Sequence, residues 1–363
     1  MTKITIGPHC LENPDGLEHW AAARIRKYCF SFPRDPLTPG DVLICRAPNT
    51  DYLTPWSDDA WTRLKPARET AEDWMYNRIL PVVASNPHVN QPGVTVYWEL
   101  DNEPDWKEND WTRAQALIAI TWYGSFHARA LEIASAAGVR LIVGNFSTET
   151  PEHKQILPAQ LWAAYASGGS VFARLKENRG AIGFHQYDDA FAPLLKMRTR
   201  AAVIRRVAGY RVPVFGTEIG VDGWRKRYHN ARGYAVGYLI PALDNDLGGD
   251  YAIDGSVVFT IGGDWPGFKI TREESKEIME TISLASSEKT YRLNTAKARE
   301  LNVRTAPGVE HTAITRLNDD HRVTVIETAK SADGGTWAAI RDQNEYGTPF
   351  LGWVNRAYLV ETF

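Results

Sequence analysis

An α/β architecture, a (β/α)8 barrel followed by a small all-β barrel, is what this sequence predicts, and two observations carry it. Over roughly the first 285 residues, eight short apolar runs alternate with longer amphipathic ones, the repeat number and length of such a barrel. Beyond Ser286 the texture changes to about 65 residues of short strands punctuated by turns. A doubly wound sheet would show fewer repeats and a glycine-rich dinucleotide loop after the first strand, and the sequence has no such loop.

The elements follow in order. Ile4 to Cys10, Ile25 to Phe32 and Val42 to Arg46 are β-rich apolar runs that read as strands one to three. The helices after strands one and two have the weakest signals, and Pro33 to Asp41 is too short to hold one. Glu69 to Val83 has helical periodicity. Val94 to Trp98 is the fourth strand, followed by a helix from Trp111 to Ala137 that stops at Gly138, a residue suited to the left-handed position beyond a helix end. Strand five spans Val139 to Asn145 and its helix Leu157 to Glu177. Ala181 to His185, Val212 to Thr217 and Ser256 to Ile261 are strands six to eight. The helices that go with them are Pro193 to Tyr210, Gly233 to Leu243 and Glu273 to Leu284.

The domain boundaries implied are 1–288 for the barrel, 289–296 for a linker and 297–363 for the β-module, with strands at Leu301 to Arg304, Ala313 to Leu317, Arg322 to Ile326, Thr336 to Arg341 and Gly352 to Val354. Within the module LNVRTAPG, TWAAIRD and GWVNRAYL occur in that order. They resemble a bacterial SH3-like domain, and the resemblance implies an attachment role with a cell-wall polymer as partner.

Composition narrows the function. Lysine and arginine number 41 against 44 acidic residues, a formal charge of −3, so neither a nucleic-acid surface nor a membrane surface is indicated. The amino terminus lacks a charged-then-apolar signal segment and no window approaches a membrane span, which suggests a cytoplasmic protein or one released by lysis or a non-classical route. Cys10, Cys29 and Cys45 lie in apolar contexts without metal-ligand spacing and read as buried thiols. Thirteen tryptophans, many in loops, offer flat faces of the kind that stack on sugar rings.

The chemistry concentrates in Val94 to Trp111, VTVYWELDNEPDWKENDW, where an apolar strand ends in a burst of carboxylates. Glu99, Asp101 and Glu103 share a parity, so a regular strand would point all three to one side, with Asn102 facing away. Clustered carboxylates at a strand tip are costly unless used; the plain alternative is a solvated loop that begins early. Trp98-Glu99-Leu100-Asp101-Asn102-Glu103-Pro104 resembles the W-E-x-x-N-E-P signature at the end of the fourth strand in clan A glycoside hydrolases, especially families 39 and 5. That resemblance implies a retaining glycosidase with Glu103 as general acid/base and Asn102 beside it. It also places the nucleophile at the tip of strand seven, where Val212-Pro-Val-Phe-Gly-Thr ends in Glu218. A strand-six His-x-Tyr beside the nucleophile is matched by His185 and Tyr187, the phenol donating to the carboxylate and favouring its ionised form. Trp265, after strand eight, is the counterpart of the clan's sugar platform, several residues beyond the usual place.

Further strand-tip candidates are His9, and Arg46 with Asn49, for each of which two readings stand side by side: a hydrogen bond to a substrate hydroxyl, or a structural role. Trp106, Trp111 and Trp224 lie in the loops where subsite walls would stand. Asp244-Asn245-Asp246 only hints at a calcium loop, since the twelfth-position Glu is missing, and no metal is implied. No organic cofactor is implied either, because side chains supply both proton and nucleophile. The expected partner is a carbohydrate. Two other readings stay open: a peptidoglycan glycosidase or phage lysin targeted by its SH3-like domain, and a non-catalytic carbohydrate-binding barrel.

Overall fold

The computed structural model describes the chain except for residues 1–5, 11–14, 30, 34–36, 49, 51–52, 105–109, 148–150, 188–192, 241–248, 262–264, 287–288, 294–296, 298–299, 319–321, 333, 344–348 and 362–363. Eight strands close into a parallel barrel in chain order: β1 (Ile6–Cys10), β2 (Ile25–Cys29), β3 (Val42–Arg46), β4 (Thr95–Glu99), β5 (Arg140–Phe146), β6 (Ala181–Tyr187), β7 (Val214–Gly220) and β8 (Gly255–Ile261). The chain clusters into two compact units, and every barrel strand belongs to the one built from Lys3–Arg227 and Ala242–Ser275.

Inside the barrel Ile25, Ile44, Tyr97, Ile142, Ala181, Phe215 and Val257 form a buried apolar belt. Side chains alternate along a strand, so the residue two positions on faces the same way, one layer nearer the C-terminal mouth. On β2, β3, β4 and β8 that residue is Lys27, Arg46, Glu99 and Phe259. An apolar floor therefore carries a charged layer, and the chemistry described below stands on it.

The outer elements depart from expectation where backbones approach closely. β1 is followed by the 3-10 turn Leu17–Trp20, and no helix lies between β2 and β3 among the described residues. Leu157 to Glu177, read as one helix, is two, Pro158–Ser167 and Val171–Asn178. The break falls at Gly168, where a Cβ would lie 2.2 Å from the carbonyl oxygen of Thr121, so only glycine admits the long helix Arg113–Ala136 this close. That long helix starts with a capping box, in which Thr112 Oγ1 accepts from the Gln115 amide (3.2 Å) and Gln115 Oε1 accepts from the Thr112 amide (2.9 Å).

The C-terminal strands form a seven-stranded sheet in the order β11-β10-β14-β13-β12-β9-β15. Its strands are β9 (Lys289–Leu293), β10 (Glu300–Arg304), β11 (Ala313–Asn318), β12 (Arg322–Lys330), β13 (Thr336–Gln343), β14 (Pro349–Asn355) and β15 (Leu359–Glu361), all paired antiparallel. β9 lies in the stretch read as a linker: alternate residues Tyr291 and Leu293 are buried, and Tyr291 packs with Val303, Leu317, Val323, Ala338, Ile340, Val354 and Leu359 in a core of its own.

Candidate active site at the barrel mouth

β4 stops at Glu99, and the next residues turn rather than extend. Glu103 takes a left-handed backbone (φ 45°), while Asp101 is buried against the outer helix, its Oδ2 lying 3.0 Å from His127 Nε2. His127 Nδ1 in turn lies 2.7 Å from the Tyr165 hydroxyl. The three carboxylates therefore do not share a side, contrary to the parity expectation. Glu99 faces the barrel interior, Asp101 faces a helix, and the turn carries Glu103 to the mouth. Trp74 Nε1 donates to the Leu100 carbonyl at 2.6 Å, and the Asn102 amide donates to the Thr50 carbonyl at 3.0 Å, which fixes the turn on both flanks.

Glu218, in the middle of β7, is almost fully buried, its side chain 4% exposed, whereas that of Glu103 is 40% exposed. Oε1 of Glu218 accepts from Lys27 Nζ at 2.8 Å and from Arg46 Nη2, and Oε2 accepts from the Tyr187 hydroxyl. His9 Nδ1 and His185 Nε2 each lie 3.7 Å from Oε1. The other nitrogen of His185, Nδ1, sits 2.9 Å from Glu103 Oε1, so a single imidazole spans the gap between the two carboxylates.

Burial by itself would raise the Glu218 pKa, but His185, Lys27 and Arg46 together hold it well below the usual carboxylate range. Burial and then the neighbouring Glu218 charge push the Tyr187 phenol well above its ordinary value, so it stays a donor. Burial, reinforced by Lys27 and Arg46 against the opposing pull of Glu218, keeps the His9 imidazole well below its ordinary range and hence neutral. His9 Nε2 lies 3.1 Å from Cys29 Sγ, a thiol that burial pushes up to about 11.

Lys27, which no motif singles out, and Glu99, to which none assigns a role, complete this layer. Lys27 and Glu99 are wholly buried and 2.8 Å apart, and Glu99 also accepts from Arg46 Nε at 2.7 Å. Arg46, read as a substrate contact, is instead committed to two carboxylates. Lys27 was detectable, since a lysine at the same parity as Ile25 in an apolar strand must point into the barrel. Asn145 begins a glycosylation sequon, Asn145-Phe146-Ser147, of the kind that occurs by chance, and no catalytic motif marks it. Its Nδ2 donates to the Asp101 carbonyl (2.8 Å), its Oδ1 accepts from Thr217 Oγ1 (2.9 Å), and its own carbonyl accepts from the Glu103 amide (3.2 Å). It thereby ties the Glu103 turn to the residue beside Glu218.

The tryptophans separate. Trp265 is 54% exposed, with its ring centroid 5.8 Å from that of Phe259, which also packs edge-on against Tyr187. Trp224 is 1% exposed, buried where its helix Trp224–Tyr228 begins, and offers no ring face to a sugar. Trp111 is 4% exposed and edge-on to Trp56 and Trp61. Trp106, Asn49 and the Asp244 to Asp246 run lie outside the described residues. Among the described residues no His, Cys, Asp or Glu cluster is arranged to hold a metal ion, and no helix is long and apolar enough to cross a membrane.

Residues 299–360 match the family model of the bacterial SH3 domain. No curated protein matches the chain. Among solved structures, an endo-β-1,4-glucanase from Xanthomonas axonopodis pv. citri is similar at 12% identity and a TM-score of 0.39, over 76% of this chain and 99% of that one. An endo-1,4-β-mannanase from Rhizomucor miehei shares 12% identity at a TM-score of 0.40, over 71% and 85% of the two chains. An endo-β-1,3-glucanase from Amycolatopsis mediterranei, solved with laminarihexaose, shares 11% at 0.37, over 76% and 98%. At this distance only the site's own residues bear on what the barrel does.

Proposed function

We propose that the barrel is a retaining glycoside hydrolase in which Glu103 is the general acid/base and Glu218 the nucleophile. The observation that carries this reading is the asymmetry of the pair. Glu218 is buried, held ionised and gripped on both oxygens, whereas Glu103 is partly exposed on the other side of one imidazole. A carboxylate that only activated water would need room for that water, and the packing around Glu218 favours direct attack.

In the first step Glu103 delivers its proton to the glycosidic oxygen as the C1–O bond breaks, and Glu218 forms an ester with C1. In the second, water attacks C1, Glu103 takes its proton, and Glu218 leaves as the carboxylate. Asn102 and His185 would flank the reacting sugar, and Trp265 would offer it an exposed face. The substrate class is a poly- or oligosaccharide cleaved at an O-glycosidic bond. The match at 299–360 favours placement on a bacterial cell-wall polymer, with chemistry confined to residues 1–288.

The test is kinetic. Glu218→Gln should abolish turnover of every substrate. Glu103→Gln should hurt most where the leaving group is poor and be partly restored by an activated aryl group. A Glu218→Gln enzyme with near-normal activity would refute the assignment.

A further inference from the structure

Lys27 is wholly buried in the middle of β2, and three oxygens surround its ammonium, two as hydrogen-bond acceptors and one, on Glu99, as an ion-pair partner. These are Glu218 Oε1 at 2.8 Å, Glu99 Oε1 at 2.8 Å and the carbonyl oxygen of Thr217 at 3.1 Å. The Lys27 side chain is 0% exposed and does not reach a substrate, so its role runs through the protein. Arg46 repeats the arrangement, with Nε on Glu99 Oε2 and Nη2 on the same Oε1 of Glu218. Glu99 is thus the shared counter-charge that aims two cations at one oxygen. The other oxygen of Glu218, Oε2, receives only the Tyr187 hydroxyl among these donors.

We infer that Lys27 is a positioning residue that, with Arg46, pins Oε1 of Glu218 and reserves Oε2 for bonding to the anomeric carbon. This rests on the glycosidase reading above and extends it to single atoms. Once Oε2 has attacked, Oε1 becomes the carbonyl oxygen of the glycosyl ester and keeps its donors. When the C1–Oε2 bond breaks, its electron pair returns to the carboxylate, water supplies the new oxygen at C1 and Glu103 takes the proton. The Lys27 charge stabilises the departing carboxylate, so it assists the second step more than the first. The groups facing Glu218 are His9 from β1, Lys27 from β2, Arg46 from β3, and His185 and Tyr187 from β6; Glu99 of β4 faces the two cations, and Glu103, from the turn after β4, faces the far nitrogen of His185.

Two measurements on the full chain test this. The first is a carbon-13 titration of the Glu218 carboxyl, assigned by its loss in Glu218→Gln, in the native protein and in Lys27→Met. Removing the ammonium should move the Glu218 midpoint up by about one pH unit or more. The double variant Lys27→Met/Glu99→Gln, in which Glu99 is no longer a buried carboxylate short of its lysine, should show the same direction of shift and guards against loss of folding. The second is steady-state and burst kinetics on dinitrophenyl β-glucoside, β-mannoside, β-cellobioside and β-N-acetylglucosaminide. For Lys27→Met, kcat should fall roughly tenfold to a hundredfold, more than kcat/KM, with a lower KM and a burst of dinitrophenol as the ester accumulates. An unmoved midpoint in a folded variant, or equal losses in kcat and kcat/KM without a burst, overturns the role of Lys27. A native protein that cleaves none of the four aryl glycosides overturns the glycosidase reading, while the titration still judges whether Lys27 controls Glu218.

Discussion

At the scale of single residues, the site works by setting unlike environments around like groups. Tyr187 donates to Oε2 of Glu218, and Tyr187→Phe removes that one bond while keeping the ring. The loss of a hydrogen bond to a charged group costs about 1.5–3 kcal/mol, so kcat/KM should fall about tenfold to a hundredfold, and its acidic limb should move to higher pH because Glu218 then protonates more easily. Unchanged kinetics would return Tyr187 to a packing role. The two perturbed groups also make stability pH-dependent in one direction. Glu218 titrates lower in the folded than in the unfolded chain, so its contribution is complete above the ordinary carboxylate range and is lost as pH falls through the folded value. His9 is neutral when folded, so below about pH 6.5 the unfolded chain binds the extra proton, and stability again falls with pH. Melting temperatures should therefore decline from about pH 7 to pH 5 through His9, more gently in His9→Gln, and decline further below the ordinary carboxylate range through Glu218; a flat profile over the first interval would contradict the His9 environment. Glu103 was marked only by the resemblance of its segment to the W-E-x-x-N-E-P signature, and Glu218 by that resemblance together with its place after the apolar run of strand seven. The burial of Trp224 was not legible, since it depends on packing between segments distant in sequence.

At the scale of elements, Asn145 is the brace between the two glutamate-bearing segments. Its amide reaches the Asp101 carbonyl on one side and Thr217 on the other, across the space left open by Gly183, where a Cβ would fall 2.0 Å from Asn145 Oδ1. Asn145→Ala leaves buried groups unpaired, at a cost of about 1–3 kcal/mol each, and should lower kcat more than it changes KM, because it loosens the spacing of the pair rather than a substrate contact. Gly183→Ala should act in the same sense by displacing the Asn145 amide. Full activity in both variants, measured on one aryl glycoside, would remove Asn145 from the mechanism. The strands themselves were readable from alternation, and the charged layer follows from the same rule, two residues beyond Ile25, Ile44 and Tyr97. The rule failed for Asp101 and Glu103 because it holds only while the strand lasts, and β4 ends at Glu99. The single helix expected over 157–177 failed for a different reason: Gly168 serves close contact with Thr121 and Ser125, a long-range demand with no local pattern.

At the scale of the whole molecule, the barrel and the SH3 module have separate cores, and the carboxylate pair lies entirely in the barrel. A chain ending at Glu288 should still cleave a soluble aryl glycoside but lose retention on insoluble peptidoglycan in a co-sedimentation assay; a folded yet inactive truncation would mean that the module completes the site. The change of texture near Ser286 marked the module in the sequence, whereas β9 was missed because a short polar strand looks like a linker until its partners β12 and β15 are known. The most direct test of the central claim is to trap the glycosyl-enzyme with a panel of 2-deoxy-2-fluoro dinitrophenyl β-glycosides and to sequence the labelled peptide by mass spectrometry. The sugar should be found on Glu218, within the tryptic peptide 212–225. Attachment to Glu103 or Glu99 instead, or turnover of the native substrate with inversion at the anomeric carbon, would contradict the account.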